Sequence, residues 1–466
     1  MSTASTRPAS PVASATNAIA DVVMIGGTVR TLDRDGTVAS ALAIRDGELV
    51  LVGDDRDVLA LANSDTRVVE LAGRTAIPGI NDSHLHGAWL GSMWPNTLMS
   101  PEGSFRHDGS VERLEDESAY RDAILRTGEL LAGLGITSYT EPGLGPGEDD
   151  GPTGCFGSGV VDAYRSLAHE GRLTARVTAL ALFGLVDGPS DVETFEREFA
   201  RFDFASDSSR WLRFAGVKIF ADGIPPMRSA WTSHAYADGS NGDLLVGGAD
   251  IREREANLRS MVARVQGAGL QVGVHATGDL SIETVLDELA RDGGRSRAQR
   301  HYVIHGDMLS ARAIELMVAA GVGMNAQPGL AGAEASNWPA LEAIRAGVPV
   351  CFSSDSPVLS PDWRRGVAVA AELIGEKARD LTADGREARD SAAAVRERLV
   401  DLLLRCYTVN PARQDGSESW KGTLEPGKVA DLCVLEADPY AIAPAELPDV
   451  PVDLTIAGGR VTFERG

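Results

Sequence analysis

At 466 residues the chain is long enough for one large α/β domain or two to three smaller ones, and its 43% hydrophobic and 24% charged residues are ordinary for a soluble globular protein. A net charge of -23 speaks against nucleic acid or an anionic membrane as partner, because both need a basic face. Four cysteines, Cys155, Cys351, Cys406 and Cys433, lie far apart without metal-binding spacing, as expected of buried free thiols in a reducing compartment.

Residues 1–20 are rich in Ala, Ser, Thr and Pro, lack the apolar core of a secretory signal, and read as a disordered tail. No run approaches the roughly 20 apolar residues of a membrane span, so the expected compartment is the cytoplasm. Residues 21–74 are strand-rich with Gly and Asp turns (VVMIGGTVRTL, ALAIRDGELVLVG, RVVELAG). Residues 416–466 repeat that style in ADLCVLEADP and VDLTIAGGRVTFERG. Neither half has enough strands for a stable core, so the two are expected to pair into one small β-sandwich.

Between them, residues 75–415 alternate short apolar strands with amphipathic helices, the pattern of parallel βα units. Strands are predicted over 75–86, 135–141, 176–183, 215–220, 270–276, 302–305, 322–327 and 349–354. Helices are predicted between most of them, for example over 119–134, 159–170, 251–268, 282–292, 311–320 and 338–346. Eight such units predict an α/β fold of the (β/α)8 barrel type, whose active site lies at the C-terminal strand ends.

Polar residues at those ends carry the chemistry. Asp82-Ser83-His84-Leu85-His86 closes the first predicted strand. Side chains at i and i+2 of a strand share a side, and neutral imidazole is the commonest protein ligand for zinc-like ions. Lys218 lies in the fourth strand, while His275, His305 and Asp355 end the fifth, sixth and eighth. Four of the eight histidines therefore fall at barrel strand ends. Lys218 sits between Val217 and Ile219, and burying an unpaired ammonium is costly. Beside divalent cations the neutral amine is favoured, and a neutral amine can take up CO2 as an anionic, bridging carbamate. Pairing with Glu141 or Asp222 is the other explanation.

His84-x-His86, Lys218, His275, His305 and Asp355, in this order and with the divided β-sandwich, resemble the amidohydrolase superfamily. The branch most resembled is the YtcJ-like group, which includes N-substituted formamide deformylases. GVKIFADG, VHATGDLSIETVLDEL, Met324-Asn325-Ala326-Gln327-Pro328, SSDSPV, YTVNPAR and KGTLEPGKVADLCVLEADP carry the same resemblance. Two stretches depart from it. Only Gly87 to Glu117 separates the histidine pair from the next helix, where relatives have a longer insertion. Ile224-Pro225-Pro226-Met227-Arg228 replaces the usual pattern after Ala221-Asp222-Gly223. Both stretches are expected to line the pocket, so no substrate is carried over.

The resemblance implies one or two divalent metal ions per subunit, zinc by default, with cobalt or manganese also suited to an N-plus-O ligand set. It implies His84, His86, carbamylated Lys218 and Asp355 on one ion, and the carbamate, His275 and His305 on the second. A hydroxide held between them would attack the C–N bond of a small molecule (an amide, formamide, carbamate or related group), with Asp355 as general base and then acid. Glu141 is expected to support a ligand from behind, with service as a substitute carboxylate ligand the alternative. Trp89, Asp222, Arg228 and Gln327 are expected to meet substrate, with Trp94 and Trp231 adding apolar wall. His107, His169, His234 and His301 are read as structural, and a homo-oligomer is expected. Two rival functions are a metal-dependent lyase, isomerase or decarboxylase on the same site, and a non-catalytic binding protein. The second would have lost a ligand or the acid/base, and none of the six residues is missing.

Overall fold

Seven short strands precede the barrel: β1 (Val22–Ile25), β2 (Thr28–Arg30), β3 (Val38–Ala39), β4 (Ala41–Arg45), β5 (Glu48–Gly53), β6 (Arg67–Glu70) and β7 (Thr75–Pro78). The computed structural model describes residues 19–100, 104–106, 108–291, 296–331, 338–377 and 391–466. The tail predicted over 1–20 lies outside these up to residue 18. Ala20 is already part of the fold: it is buried, its N–H donates to Leu61 O, and its carbonyl accepts the Thr66 hydroxyl. His107 lies outside the described residues.

The hairpin joining β4 to β5 turns at Asp46-Gly47, both with positive φ (52° and 78°), as a tight two-residue turn between right-twisted strands requires. A four-stranded sheet has the order β5-β4-β1-β6. The C-terminal strands β16 (Leu432–Leu435), β17 (Val452–Ala457) and β18 (Arg460–Glu464) continue the other sheet, of order β18-β17-β16-β7-β2-β3. Both chain ends share one apolar core, with Met24, Leu42 and Ile44 packing against Leu432, Val434 and Ile456.

β8 (Ile80–Asp82), β9 (Ile136–Leu144), β10 (Arg176–Leu182), β11 (Leu212–Phe220), β12 (Gln271–Ala276), β13 (Tyr302–His305), β14 (Gly323–Ala326) and β15 (Val350–Phe352) form the barrel. They are parallel neighbours in sequence order. Closure comes from the chain beyond β8 meeting the chain beyond β15: Asp355 N–H donates to His84 O at 2.9 Å and His86 N–H to Ser356 O at 2.7 Å. Helices over Glu117–Gly133, Ser158–His169, Ile251–Gly267, Asp279–Ala290 and Ala311–Ala320 follow their strands. Asp116, Asp250 and Ser310 cap three of them by accepting a backbone N–H of the first turn. The architecture is a (β/α)8 barrel with a small β domain beside it.

The first predicted barrel strand, 75–86, is divided. Thr75–Pro78 pairs antiparallel with β16, placing Ile77 opposite Cys433, and only Ile80–Asp82 joins the barrel. Gly79 is the hand-over, with its N–H donating to Asp431 O. A Cβ there would lie 2.1 Å from Thr137 Oγ1, so a larger residue would separate the sheets. Arg176, at the start of β10, fixes the same junction by forking onto Asp431 through bonds of 2.7 and 2.9 Å. All four cysteines are free and buried. Among the described residues, no helix is long and apolar enough to cross a membrane.

Candidate metal centre

Beyond Asp82 the chain stays extended because both neighbours hold its backbone. Leu85 N–H donates to Thr140 O midway along β9, while the segment after β15 bonds His84 and His86. His84 and His86 thus face one way, their ring centroids 5.2 Å apart. Asp355 meets both, with its Oδ1 3.1 Å from His84 Nε2 and 3.6 Å from His86 Nε2. The His305 ring lies 5.6 Å from that of His84 and 4.6 Å from that of His275. One ligand atom each from His84, His305 and Asp355 lies within 4.8 Å of the other two. His305 and Asp355 adopt left-handed backbone conformations, φ 72° and 56°. Each costs about 1–2 kcal/mol in a residue bearing a Cβ. The fold holds that strain at two residues that face the centre.

Three of the four imidazoles have their tautomer set by a partner. His86 Nδ1 lies 3.2 Å from Glu141 Oε1, so that nitrogen carries the proton and Nε2 keeps its lone pair. His275 Nε2 lies 3.2 Å from the Gly223 carbonyl, which can only accept; Nδ1 is left as the donor atom toward a metal. His305 Nδ1 faces Gln327 Oε1 at 2.8 Å, and the Gln327 amide is oriented by donating to Asn325 Oδ1 and Ser353 Oγ. Its Nε2 is therefore free. Metal-bound histidines usually have this support on the far nitrogen. Burial holds the basicity of His84 and His275 well below the ordinary value, and that of His305 at about 4. They are neutral imidazoles, able to bind metal.

Lys218 is 2% exposed, with its Nζ 4.5 Å from the centroid of the Phe220 ring. Burial lowers its pKa to about 8, against the pull of Asp355 and Asp187. Neither alternative partner holds it. Glu141 is engaged by His86, by Gly87 N–H and by the Tyr164 hydroxyl at 3.1 Å. Asp222 accepts from Trp231 N, Gly278 N and Ser281 Oγ on one oxygen and from Thr277 N on the other. Neutral imidazoles, a carboxylate and an amine of depressed basicity form a donor set that fits zinc-like cations. Among the described residues, the buried His84 Nδ1 and the neighbouring Asp82 Oδ2 have no hydrogen-bond partner.

The residues expected against substrate divide differently. Trp89 stands beside the centre, its ring 6.2 Å from that of His86 and its Nε1 bonded to Gly109 O. Gln327 instead orients His305, with every polar atom of its amide engaged. Asp222 is buried and stitches the loop after β11 to the one after β12, so its expected substrate contact is replaced by backbone N–H groups. Arg228, whose side chain is 52% exposed, is committed to Asp238 at 3.0 Å. The sequence reading missed several residues of this region. Asp82 lies behind the histidine pair, where burial lifts its carboxyl to about 7. Asp187 and Asp307, in the loops after β10 and β13, are open to solvent on one side. The charge of Asp355 helps to raise both carboxyls above their ordinary range. Position after a barrel strand was the only signal for these two.

Residues 106–463 match the model of the amidohydrolase family, and the chain belongs to that family, a metal-dependent hydrolase by class. It is similar to the N-substituted formamide deformylase of Arthrobacter pascens, at 24% identity over 96% of this chain and 98% of the relative. It is also similar to the putative amidohydrolase YtcJ of Bacillus subtilis, at 23% identity over 94% of this chain and 99% of the relative. Among solved structures, an uncharacterized metal-dependent hydrolase from Pyrococcus horikoshii shares the fold, with a TM-score of 0.66 and 20% identity over 91% of this chain and 99% of that one.

Proposed function

We propose that this enzyme hydrolyses a C–N bond of a small molecule, of amide, formamide, carbamate or related type. The carrying observation is the convergence of His86, His275 and His305 with their outer nitrogens already tied to acceptors, around Asp355 and a buried, weakly basic Lys218. His84, His86 and Asp355 would hold one divalent ion and His275 and His305 a second, zinc being the default for such ligands. Lys218, as the neutral amine, would add its lone pair to CO2 and release one proton, and the anionic carbamate so formed would complete the ligand set. Metal bound there would supply Lewis acidity to water and to the scissile carbonyl. Asp355 takes the proton from the attacking water and delivers it to the leaving nitrogen. Trp89 and the neighbouring Phe156, their rings 5.6 Å apart, offer an apolar wall to an uncharged or aromatic substrate part. The formamide deformylase relative supports the bond type.

The test is a panel of amides, N-substituted formamides, carbamates, thiocarbamates, ureas and esters, incubated with zinc-loaded enzyme in oxygen-18 water. Turnover of a C–N substrate with one solvent oxygen in the acid product is expected. Turnover without solvent oxygen would overturn hydrolysis in favour of a lyase, isomerase or decarboxylase.

A further inference from the structure

The hydrogen bonding behind His86 does not stop at Glu141. Glu141 Oε2 accepts from the Tyr164 hydroxyl at 3.1 Å. Tyr164 has one proton to give, so its oxygen must accept from the Tyr139 hydroxyl, 2.9 Å away. All three side chains are buried. We propose that Tyr139 and Tyr164 are positioning residues for the metal centre: a buried two-hydroxyl relay that holds the Glu141 carboxylate against His86 and tightens the His84–His86 side of the centre relative to the His275–His305 side. This rests on the metal-dependent reading above.

Three observations carry it. Of the four histidines, His86 is the one whose outer ring nitrogen, turned away from Asp355, meets a carboxylate among the described residues. His275 meets a backbone carbonyl, His305 a neutral amide, and His84 Nδ1 has no partner among the described residues. A hydrogen bond to an anionic acceptor is roughly twice as strong as a neutral one, and it makes the imidazole a better electron donor to the metal. Second, the relay needs the residue after His86 to be glycine. A Cβ at Gly87 would lie 2.4 Å from Tyr164 Oη, 3.0 Å from Tyr139 Oη and 3.4 Å from Glu141 Oε2. Third, burial and the charge of Glu141 push both phenols above their ordinary range, so both keep the proton the relay requires.

The experiment measures zinc stoichiometry and affinity of metal-stripped protein by competition with a chromophoric chelator, together with the thermal stability of the stripped protein. Tyr164→Phe should weaken the zinc equivalent held by His86 about 10–100-fold and leave any second equivalent unchanged. If a single ion is bound, the loss falls on that ion. Tyr139→Phe, one link further out, should give a smaller loss of the same sign and serves if Tyr164→Phe does not fold. In a Glu141→Gln background, adding Tyr164→Phe should cost no further affinity, because the hydroxyl acts through that carboxylate. Variants that unfold more easily when stripped but bind zinc like the wild type would overturn the relay and leave the proposed function standing. Equal weakening of both equivalents, or full additivity with Glu141→Gln, would also overturn it. A wild-type protein that binds no zinc would overturn the proposed function itself, and the relay with it.

Discussion

Asp355 Oδ1 stands 3.1 Å from His84 Nε2, so the proposed proton carrier and a proposed ligand meet atom to atom. Asp355→Asn keeps the shape of the side chain and removes its ability to take a proton. Turnover should drop about 10²–10⁴-fold, while circular dichroism and, in metal-stripped protein, the melting profile stay close to wild type. A near-normal rate would move the proton role to another carboxylate, with Asp187 and Asp307 next to be tested.

Lys218 supplies the second prediction. Lys218→Ala should lose both the bridged metal and activity, and added formate or acetate should restore part of the rate by supplying the missing oxygens. Density for an unmodified ammonium in an active, metal-loaded crystal would remove the carbamate. The site would then be mononuclear, with His84, His86 and Asp355 joined by His275 or His305.

Metal removal should abolish turnover and lower the melting temperature, both restored by zinc. A ligand that binds only the folded state at about 100 times its Kd stabilises by about 2.7 kcal/mol. Stripped protein that melts and turns over like the loaded form would exclude a metal role.

A pH prediction follows from Asp82. Its folded-state pKa is raised to about 7 from 3.8, chiefly by burial, so the folded form holds a proton that the unfolded chain has released. Its contribution to stability is therefore fully present below about pH 4 and is lost as the pH rises toward 7. Asp82→Asn keeps an oxygen to accept from His84 N–H and Ser354 N–H and does not titrate. In metal-stripped protein, the variant's denaturation midpoint should gain on wild type between pH 4 and 7 and level off above. A constant difference across that range would mean that Asp82 is not held protonated.

The barrel and its strand-end ligands were legible because each lies where an apolar run stops at a single polar residue, as in Val-Gly-Val-His275 and Tyr-Val-Ile-His305. The division of residues 75–86 was not. Both halves are buried, and one continuous apolar run serves two sheets, so only the close contact at Gly79 marks the change. The duties of Gln327 and Asp222 were hidden for another reason. A strand-end amide or carboxylate reads as a substrate contact until its partners are known, and Ser353, Ser281 and Thr277 are brought in by neighbouring βα units. Tyr164 gave no sequence sign either, since a tyrosine on the inner face of an amphipathic helix looks like any core aromatic.

The pairing of β7 with β16 bears on how the chain is made. In sequence the entire barrel lies between these two strands, so β7 leaves the ribosome with one edge open and waits for its neighbour until synthesis is nearly complete. Non-local pairing of this kind is slow to form and leaves strand edges exposed in the meantime. A chain that stops short of Leu432 would keep every proposed ligand yet leave β7 with an unpaired edge, so shortened products of this protein are candidates for aggregation rather than partial activity.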